Sequence, residues 1–167
     1  MFVAIAISGA LAMSCSDKKE TVTTSEVPEV TATDTAADTA PKQDTIQITL
    51  NSNDKMQYDK TILDVQAGQT VVLTLNHTGT MPKESMGHNF TLLKQGTDLK
   101  TFEDEAIKHR ENDYIPTDAS DIIAHTKLIG GGESTSITFA APEKGSYDFL
   151  CSFPGHYSVM KGKFNVN

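Results

Sequence analysis

Cysteines, basic residues and long apolar runs are scarce in this chain, and each scarcity excludes a class of protein. The two cysteines, Cys15 and Cys151, cannot build a disulfide scaffold or a four-cysteine zinc site. The chain has 14 basic against 22 acidic residues and a net charge of -8, which argues against binding to duplex nucleic acid. It has no Trp, and its one long apolar run is at the N-terminus, which excludes several membrane-spanning helices. With 167 residues and 38% hydrophobic content, it has room for one ordinary domain and an extension.

The N-terminal apolar run covers residues 2–13 and is followed by Ser14 and Cys15. A run of this length is too short to cross a bilayer of about 30 Å, but it is typical of the core of a signal peptide. Ala12-Met13-Ser14-Cys15 resembles a bacterial lipobox, in which the cysteine is lipidated and becomes the first residue of the mature protein. The sequence therefore predicts a signal peptide at 1–15, a lipid anchor at Cys15 and a location in the periplasm or cell envelope. Secretion without a lipid and a cytosolic N-terminus are the alternatives.

Residues 16–44 form a polar segment between this signal and the first strand pattern. They contain seven acids and three lysines, and residues 21–40 include seven Thr and four Ala. Such a composition cannot bury enough apolar surface to offset its chain entropy, so we expect a disordered linker. As a tether it would have a root-mean-square reach on the order of 30 Å. An N-terminal extension without a purpose is the alternative.

Residues 45–167 show the pattern of an all-β domain. Apolar residues alternate with polar ones in six short stretches: Ile46, Ile48 and Leu50; Val71, Leu73 and Leu75; Phe90 and Leu92; Ile137 and Phe139; Tyr147, Phe149 and Cys151; Phe164 and Val166. Turn residues separate these stretches, which is typical of a Greek-key sandwich or barrel. One stretch differs, because Leu99, Phe102, Ala106 and Ile107 recur at helical spacing. It predicts one short helical insert that ends before Pro116.

The chemistry-bearing residues are concentrated near the C-terminus. Cys151, His156 and Met160 follow the spacing C-x4-H-x3-M around a Pro-Gly turn. The cysteine ends one predicted strand and the methionine begins the next, so the three side chains can converge. A thiolate, an imidazole and a weak thioether suit copper, whose reduced state prefers soft sulfur and whose oxidised state accepts nitrogen.

A blue copper site needs a second histidine, and Met86-Gly87-His88-Asn89 supplies one before another predicted strand. Each candidate alone also has a structural interpretation. A strand cysteine is commonly a small buried hydrophobe, Pro-Gly-His is commonly a turn, and a methionine commonly fills a core. Their ordered spacing, together with the upstream histidine, favours a metal site.

Over residues 45–167 the chain resembles the azurins, which belong to the cupredoxin family. The resemblance rests on the ligand-bearing motifs above and on four more stretches, Asn53-Asp54-Lys55-Met56-Gln57, Leu75-Asn76-His77, Pro82-Lys83, and the run of residues 123–130. It implies a cupredoxin-like Greek-key barrel of about eight strands that holds one type 1 copper ion. The implied ligands are His88, Cys151 and His156 in a plane, with Met160 and the Gly87 carbonyl at axial positions. Asn89 would tie the two ligand segments together, with the Ser152 hydroxyl as its partner.

The resemblance also implies a function, which is electron transfer with copper cycling between Cu(I) and Cu(II). Six residues, the apolar rim, would surround His156 as a docking surface: Met56, Met81, Met86, Phe153, Pro154 and Val159. The implied partners are redox proteins such as c-type cytochromes or copper and haem reductases. The protein itself is expected to be a monomer. The protein would not be an enzyme. A copper-storage or delivery protein would use the same ligands, and a Cys/His hydrolase would need a third orienting residue that the sequence does not offer.

Overall fold

The computed structural model describes residues 44–167. The predicted signal peptide, Cys15 and nearly all of the predicted linker lie outside these residues. Within the described part, no helix is long and apolar enough to cross a membrane.

Nine strands in the described part form two sheets. In chain order they are β1 Thr45–Asn53, β2 Gln57–Tyr58, β3 Ile62–Val65, β4 Thr70–His77, β5 Thr91–Leu93, β6 Ile122–His125, β7 Ser134–Ala140, β8 Gly145–Leu150 and β9 Lys161–Val166. One sheet has the order β2-β1-β4-β7 and the other the order β3-β9-β8-β5-β6. Two pairs are parallel, β1 with β4 and β3 with β9, and the remaining pairs are antiparallel. The architecture confirms the predicted all-β sandwich.

The core lies between the sheets and follows the period-two pattern of the sequence. In β4, Val71, Leu73 and Leu75 are fully buried, whereas the residues between them are half-buried. The opposite sheet contributes Phe149 and Phe164, which are also fully buried. Successive side chains of a strand point to opposite faces of the sheet. The apolar residues at every second position therefore pack inward, and the polar residues between them face outward.

The helical insert is α2, Leu99–Ala106, which confirms the predicted amphipathic helix. The Asp98 carboxylate caps the helix by accepting a hydrogen bond from the Thr101 N–H. This bond satisfies one of the first-turn N–H groups that have no partner within the helix. Ile107, which the helical spacing included, lies at the C-cap and is 45% exposed. A one-turn helix, α1 Lys83–Met86, and a 3₁₀ turn at Arg110–Asn112 were not predicted.

Three chain segments meet at one end of the sandwich. β8 ends at Leu150 and β9 begins at Lys161, so the ligand loop, residues 151–160, connects two paired strands. His88 precedes β5 and pairs with Ile129 through two backbone hydrogen bonds of 3.0 and 2.9 Å. This pairing holds the second segment beside the ligand loop. The third segment is the end of β4 at His77.

Candidate metal centre

Three side chains from two segments converge in the interior. Cys151 Sγ lies 3.9 Å from His88 Nδ1 and 3.6 Å from His156 Nδ1, and the donor atoms of the three residues are all within 4.8 Å of one another. His88 and Cys151 are fully buried, and His156 is 3% exposed. A thiol and two imidazoles therefore form one compact donor set.

Gly87 and Met160 lie beside this set. The Gly87 carbonyl oxygen is 3.8 Å from Cys151 Sγ. Met160 is fully buried, and its carbonyl accepts a hydrogen bond of 3.0 Å from the Cys151 N–H. The five residues named from the sequence thus come from two segments that meet at one point, and coordination by each of them stays a prediction.

The ligand loop is a tight turn that folds back on itself. The His156 N–H donates to the Phe153 carbonyl at 3.0 Å, and the Met160 N–H donates to the His156 carbonyl at 2.8 Å. Gly155 has a φ of +81°, in the left-handed region that favours glycine. The Pro-Gly turn therefore reverses the chain so that His156 points back toward Cys151.

Asn89 ties the two segments together, as the resemblance implied. Its side-chain oxygen accepts from the Ser152 N–H at 2.9 Å, and its side-chain nitrogen donates to the Ser152 hydroxyl at 2.8 Å. The same nitrogen donates to the Asp113 carbonyl at 3.1 Å. Asn89 and Ser152 are fully buried, so these bonds are shielded from water. They fix the spacing between His88 and Cys151.

Burial sets the protonation of the site when no cation is bound. It raises the pKa of the Cys151 thiol to about 12, against the opposing effect of hydrogen bonds from the Asn89 and Phe153 N–H groups. Burial lowers the pKa of His88 and of His156 to about 4. Both imidazoles are therefore neutral at pH 7, and a cation must displace the thiol proton to bind.

The tautomer of His88 fits a metal. Its Nε2 lies 2.9 Å from the Asn53 carbonyl oxygen, which can only accept, so Nε2 holds the ring proton and Nδ1 presents a lone pair to Cys151. With metal–sulfur and metal–nitrogen bonds of about 2.3 and 2.0 Å, as in zinc sites, and about 120° between them, the two donors would be about 3.7 Å apart. The observed sulfur–nitrogen distances of 3.6 and 3.9 Å match this spacing. Soft sulfur with two nitrogens suits copper.

His77 lies next to His88 and is buried. Its ring stacks on that of His88, with 4.4 Å between centroids, and its Nε2 lies 2.9 Å from the Met86 carbonyl. The Gly79 N–H donates to Nδ1 at 3.0 Å, so both ring nitrogens are occupied. His77 therefore supports the orientation of His88, and neither of its ring nitrogens is free to bind a metal ion.

Glu103 is a buried acid next to the ligand loop that the sequence reasoning did not single out. It is 4% exposed, and its Oε1 accepts a hydrogen bond of 3.3 Å from the Gly155 N–H. A signal existed in the sequence: Leu99, Phe102, Glu103 and Ala106 have the spacing of one helical stripe. Glu103 therefore belongs to the inward face of α2.

The apolar rim is partly exposed. Val159 is 62% and Met81 is 37% exposed, Pro154 is exposed, and Met56 and Met86 are half-buried. Phe153 is buried and packs on the His156 ring, with 4.7 Å between centroids. Phe153 thus supports His156 from within, and the other five residues form the accessible surface.

The sequence and the fold resemble those of known copper proteins. Residues 44–167 match the family described as copper binding proteins, plastocyanin/azurin family. The chain is 39% identical to azurin from Alcaligenes faecalis over 123 residues, which cover 71% of this chain and 96% of that protein. It is 41% identical to outer membrane protein H.8 from Neisseria gonorrhoeae over 121 residues, which cover 71% of this chain and only 66% of that longer protein.

A solved structure shares the fold. Auracyanin A, a blue copper protein from Chloroflexus aurantiacus, superposes with a TM-score of 0.68 at 33% identity, over 74% of this chain and 99% of that one. The matching family, this neighbour and the His88–Cys151–His156 cluster agree on one copper ion of type 1. The chain therefore belongs to the plastocyanin/azurin family of blue copper, electron-transfer proteins.

Proposed function

We propose that this protein is an extracytoplasmic electron carrier that passes electrons between redox partners through the edge of His156. His88 Nδ1, Cys151 Sγ and His156 Nδ1 would hold the copper ion, with Met160 Sδ and the Gly87 carbonyl at longer distance. When bound, copper supplies a one-electron couple between Cu(I) and Cu(II). No bound substrate is transformed, so the proposed role is not that of an enzyme.

The observation that carries this proposal is that the protein itself positions the three donors His88, Cys151 and His156. The Asn53 carbonyl orients His88, the Asn89–Ser152 pair fixes the distance between segments, and Phe153 packs on His156. A donor set that is held by the fold changes little between oxidation states, which keeps reorganisation small. The three donors are also buried, so a bound ion would not be released readily. This favours an electron carrier over a copper store, which must release its ion.

The apolar rim supports a docking role. His156 is 3% exposed, and two exposed members of the rim, Pro154 and Val159, lie on its loop. A partner that covers this surface would come close to the His156 ring without displacing a donor. The surface is small and apolar, which suits brief encounters with redox proteins such as c-type cytochromes or copper and haem reductases.

The visible spectrum of the purified protein after addition of Cu(II) tests this function. We expect an intense thiolate-to-copper band near the red end of the spectrum, bleached by a one-electron reductant and restored by an oxidant. A protein that binds Cu(II) without this band would not be a blue copper carrier.

The location is the second part of the proposal. The apolar run at 2–13 and the lipobox-like Cys15 support export and lipidation, with residues 16–44 as a tether and residues 45–167 as the copper domain. The similarity to a protein named outer membrane protein H.8 agrees with a place in the cell envelope.

Mass spectrometry of the native protein tests the anchor. We expect loss of residues 1–14 and a diacylglycerol-modified Cys15, and a Cys15→Ser variant that stays unprocessed and unmodified. An unmodified Cys15 in the native protein would contradict the anchor and leave electron transfer unaffected.

A further inference from the structure

Glu103 is the one buried acid of the described part whose carboxylate has an unpartnered oxygen. Its Oε1 accepts from the Gly155 N–H at 3.3 Å, whereas its Oε2 has no hydrogen-bond partner within residues 44–167. The residue comes from α2, 52 positions before Gly155 in the chain, and it is 4% exposed. A buried acid with one unsatisfied oxygen is costly when ionised and is stabilised by a proton.

The surroundings of Glu103 favour its neutral form. The pKa of Glu103 is raised to about 7, chiefly by burial; the hydrogen bond from the Gly155 N–H opposes this rise and the charge of the nearby Asp104 adds to it. Two acidic or basic side chains lie on its own helix, Asp104 and its partner Lys100. The facing ligand loop contributes Cys151, His156 next to Gly155, and Tyr157, which packs on the same apolar cluster as α2. The only cation among them, Lys100, is paired with Asp104 on the exposed side.

Glu103 also interacts with the metal centre. Its negative charge raises the pKa of Cys151, which means that the carboxylate and the thiolate repel each other through the interior. The same field would act on a copper ion that the Cys151 thiolate would help to hold. A negative Glu103 favours the more positive, oxidised centre, and a neutral Glu103 favours the reduced one.

We propose that Glu103 couples reduction of the copper centre to uptake of a proton at its buried carboxylate. The inference rests on the proposed electron-transfer function. One electron from a one-electron redox partner goes to the metal, and one proton from water goes to the carboxylate, so the charge of the centre and the acid together does not change. Oxidation returns the electron to a partner and the proton to water. The hydrogen bond to Gly155 places this acid against the turn that presents His156.

The reduction potential as a function of pH is the main test. In the wild type we expect the potential to be higher at pH 5 than at pH 9, with the change centred near neutrality. A tenfold difference in the proton affinity of Glu103 between the two oxidation states corresponds to about 59 mV between the two plateaus. The Glu103→Gln variant keeps an oxygen for the Gly155 N–H and cannot ionise, so its potential should stay near the low-pH plateau. Asp104→Asn is the matched control, because it removes the same charge from an exposed neighbour.

An NMR titration of the wild type provides a readout that needs no variant and no electron transfer. The Gly155 amide shift reports the charge of Glu103 and can be followed in the Cu(I) protein and in protein loaded with Zn(II), a divalent ion that the same ligand types bind. We expect its midpoint at a higher pH with Cu(I) than with Zn(II), since the extra positive charge favours the carboxylate. Equal midpoints would overturn the proposal, as would a pH-dependent potential that persists in Glu103→Gln. A protein that shows no blue band with Cu(II) would instead refute the proposed function, whatever Glu103 does.

Stability gives the same inference a third check. Because the folded pKa of about 7 lies above the ordinary value of 4.5, the proton on Glu103 stabilises the fold fully below pH 4.5, and this contribution is lost as pH rises through 7. The free energy of unfolding of the metal-free wild type should therefore fall across this window relative to Glu103→Gln. A parallel pH dependence in the two proteins would contradict a titrating Glu103.

Discussion

Replacing Cys151 with Ser is expected to abolish the intense thiolate-to-copper band while the β-sheet structure persists. The band requires a thiolate bound to copper, and Cys151 is the only cysteine within residues 44–167. Serine is slightly smaller than cysteine, and Cys151 is only one of the many buried residues that form the core between the two sheets. Visible absorption after addition of Cu(II) and far-UV circular dichroism measure the two effects.

The other cysteine offers a matched control for this experiment. Cys15→Ser makes the same chemical change outside the proposed copper domain, so it should leave the band at full intensity in a preparation that bypasses lipidation. A blue Cys151→Ser protein would refute the ligand assignment. A colourless Cys15→Ser protein would point to a different thiolate ligand.

Met86→Lys is expected to slow electron self-exchange more than tenfold at low salt without changing the blue band. Met86 is half-buried in the apolar rim and is not among the proposed ligands. In self-exchange two copies meet through the same surface, so two lysines would approach each other as the contact loses water. Desolvation of a charge costs several kcal/mol, and each 1.4 kcal/mol is a factor of ten. NMR line broadening in mixtures of oxidised and reduced protein measures the rate.

Salt and a distant lysine separate the causes of this effect. Added salt should restore part of the rate by screening repulsion, but not the part that desolvation removes. Gln66→Lys makes the same charge change beyond the end of β3, where β9 is farthest from the ligand loop, and its rate should stay near that of the wild type. Unchanged self-exchange in Met86→Lys would show that electrons leave elsewhere. Unchanged exchange with faster copper release would favour a storage protein.

The parts of the fold that the sequence could predict are those in which burial alternates. β1, β4 and β9 each bury one parity of side chains, so their apolar residues mark them. β6 is half-buried or exposed throughout and β2 has two residues, so neither leaves an alternating pattern. Ile107 continues the helical spacing but lies at the C-cap, because spacing alone does not indicate where α2 ends.

Some residues of the candidate site could likewise be predicted from the sequence, and others could not. Cys151, His156 and Met160 could be named because a single loop carries them at fixed spacing, and His88 because it lies beside Asn89 in a second motif. The stacking of His77 on His88 depends on how β4 ends relative to the segment before β5, which spacing along the chain does not encode. Glu103 was hidden among the charged residues of α2, although its helical position already placed it on the inward face.

The position of β9 has a consequence for how the molecule assembles. β9, Lys161–Val166, lies between β8 and β3 in its sheet, and it pairs in parallel with a strand about 100 residues earlier in the chain. During synthesis β9 is the last of the five strands of this sheet to emerge, and β3 has no other partner in the sheet. Pairings between such distant residues form late and make folding slow, because a long loop must close first. β3 therefore stays unpaired until β9 is made, and the ligand loop, which joins β8 to β9, is closed only then.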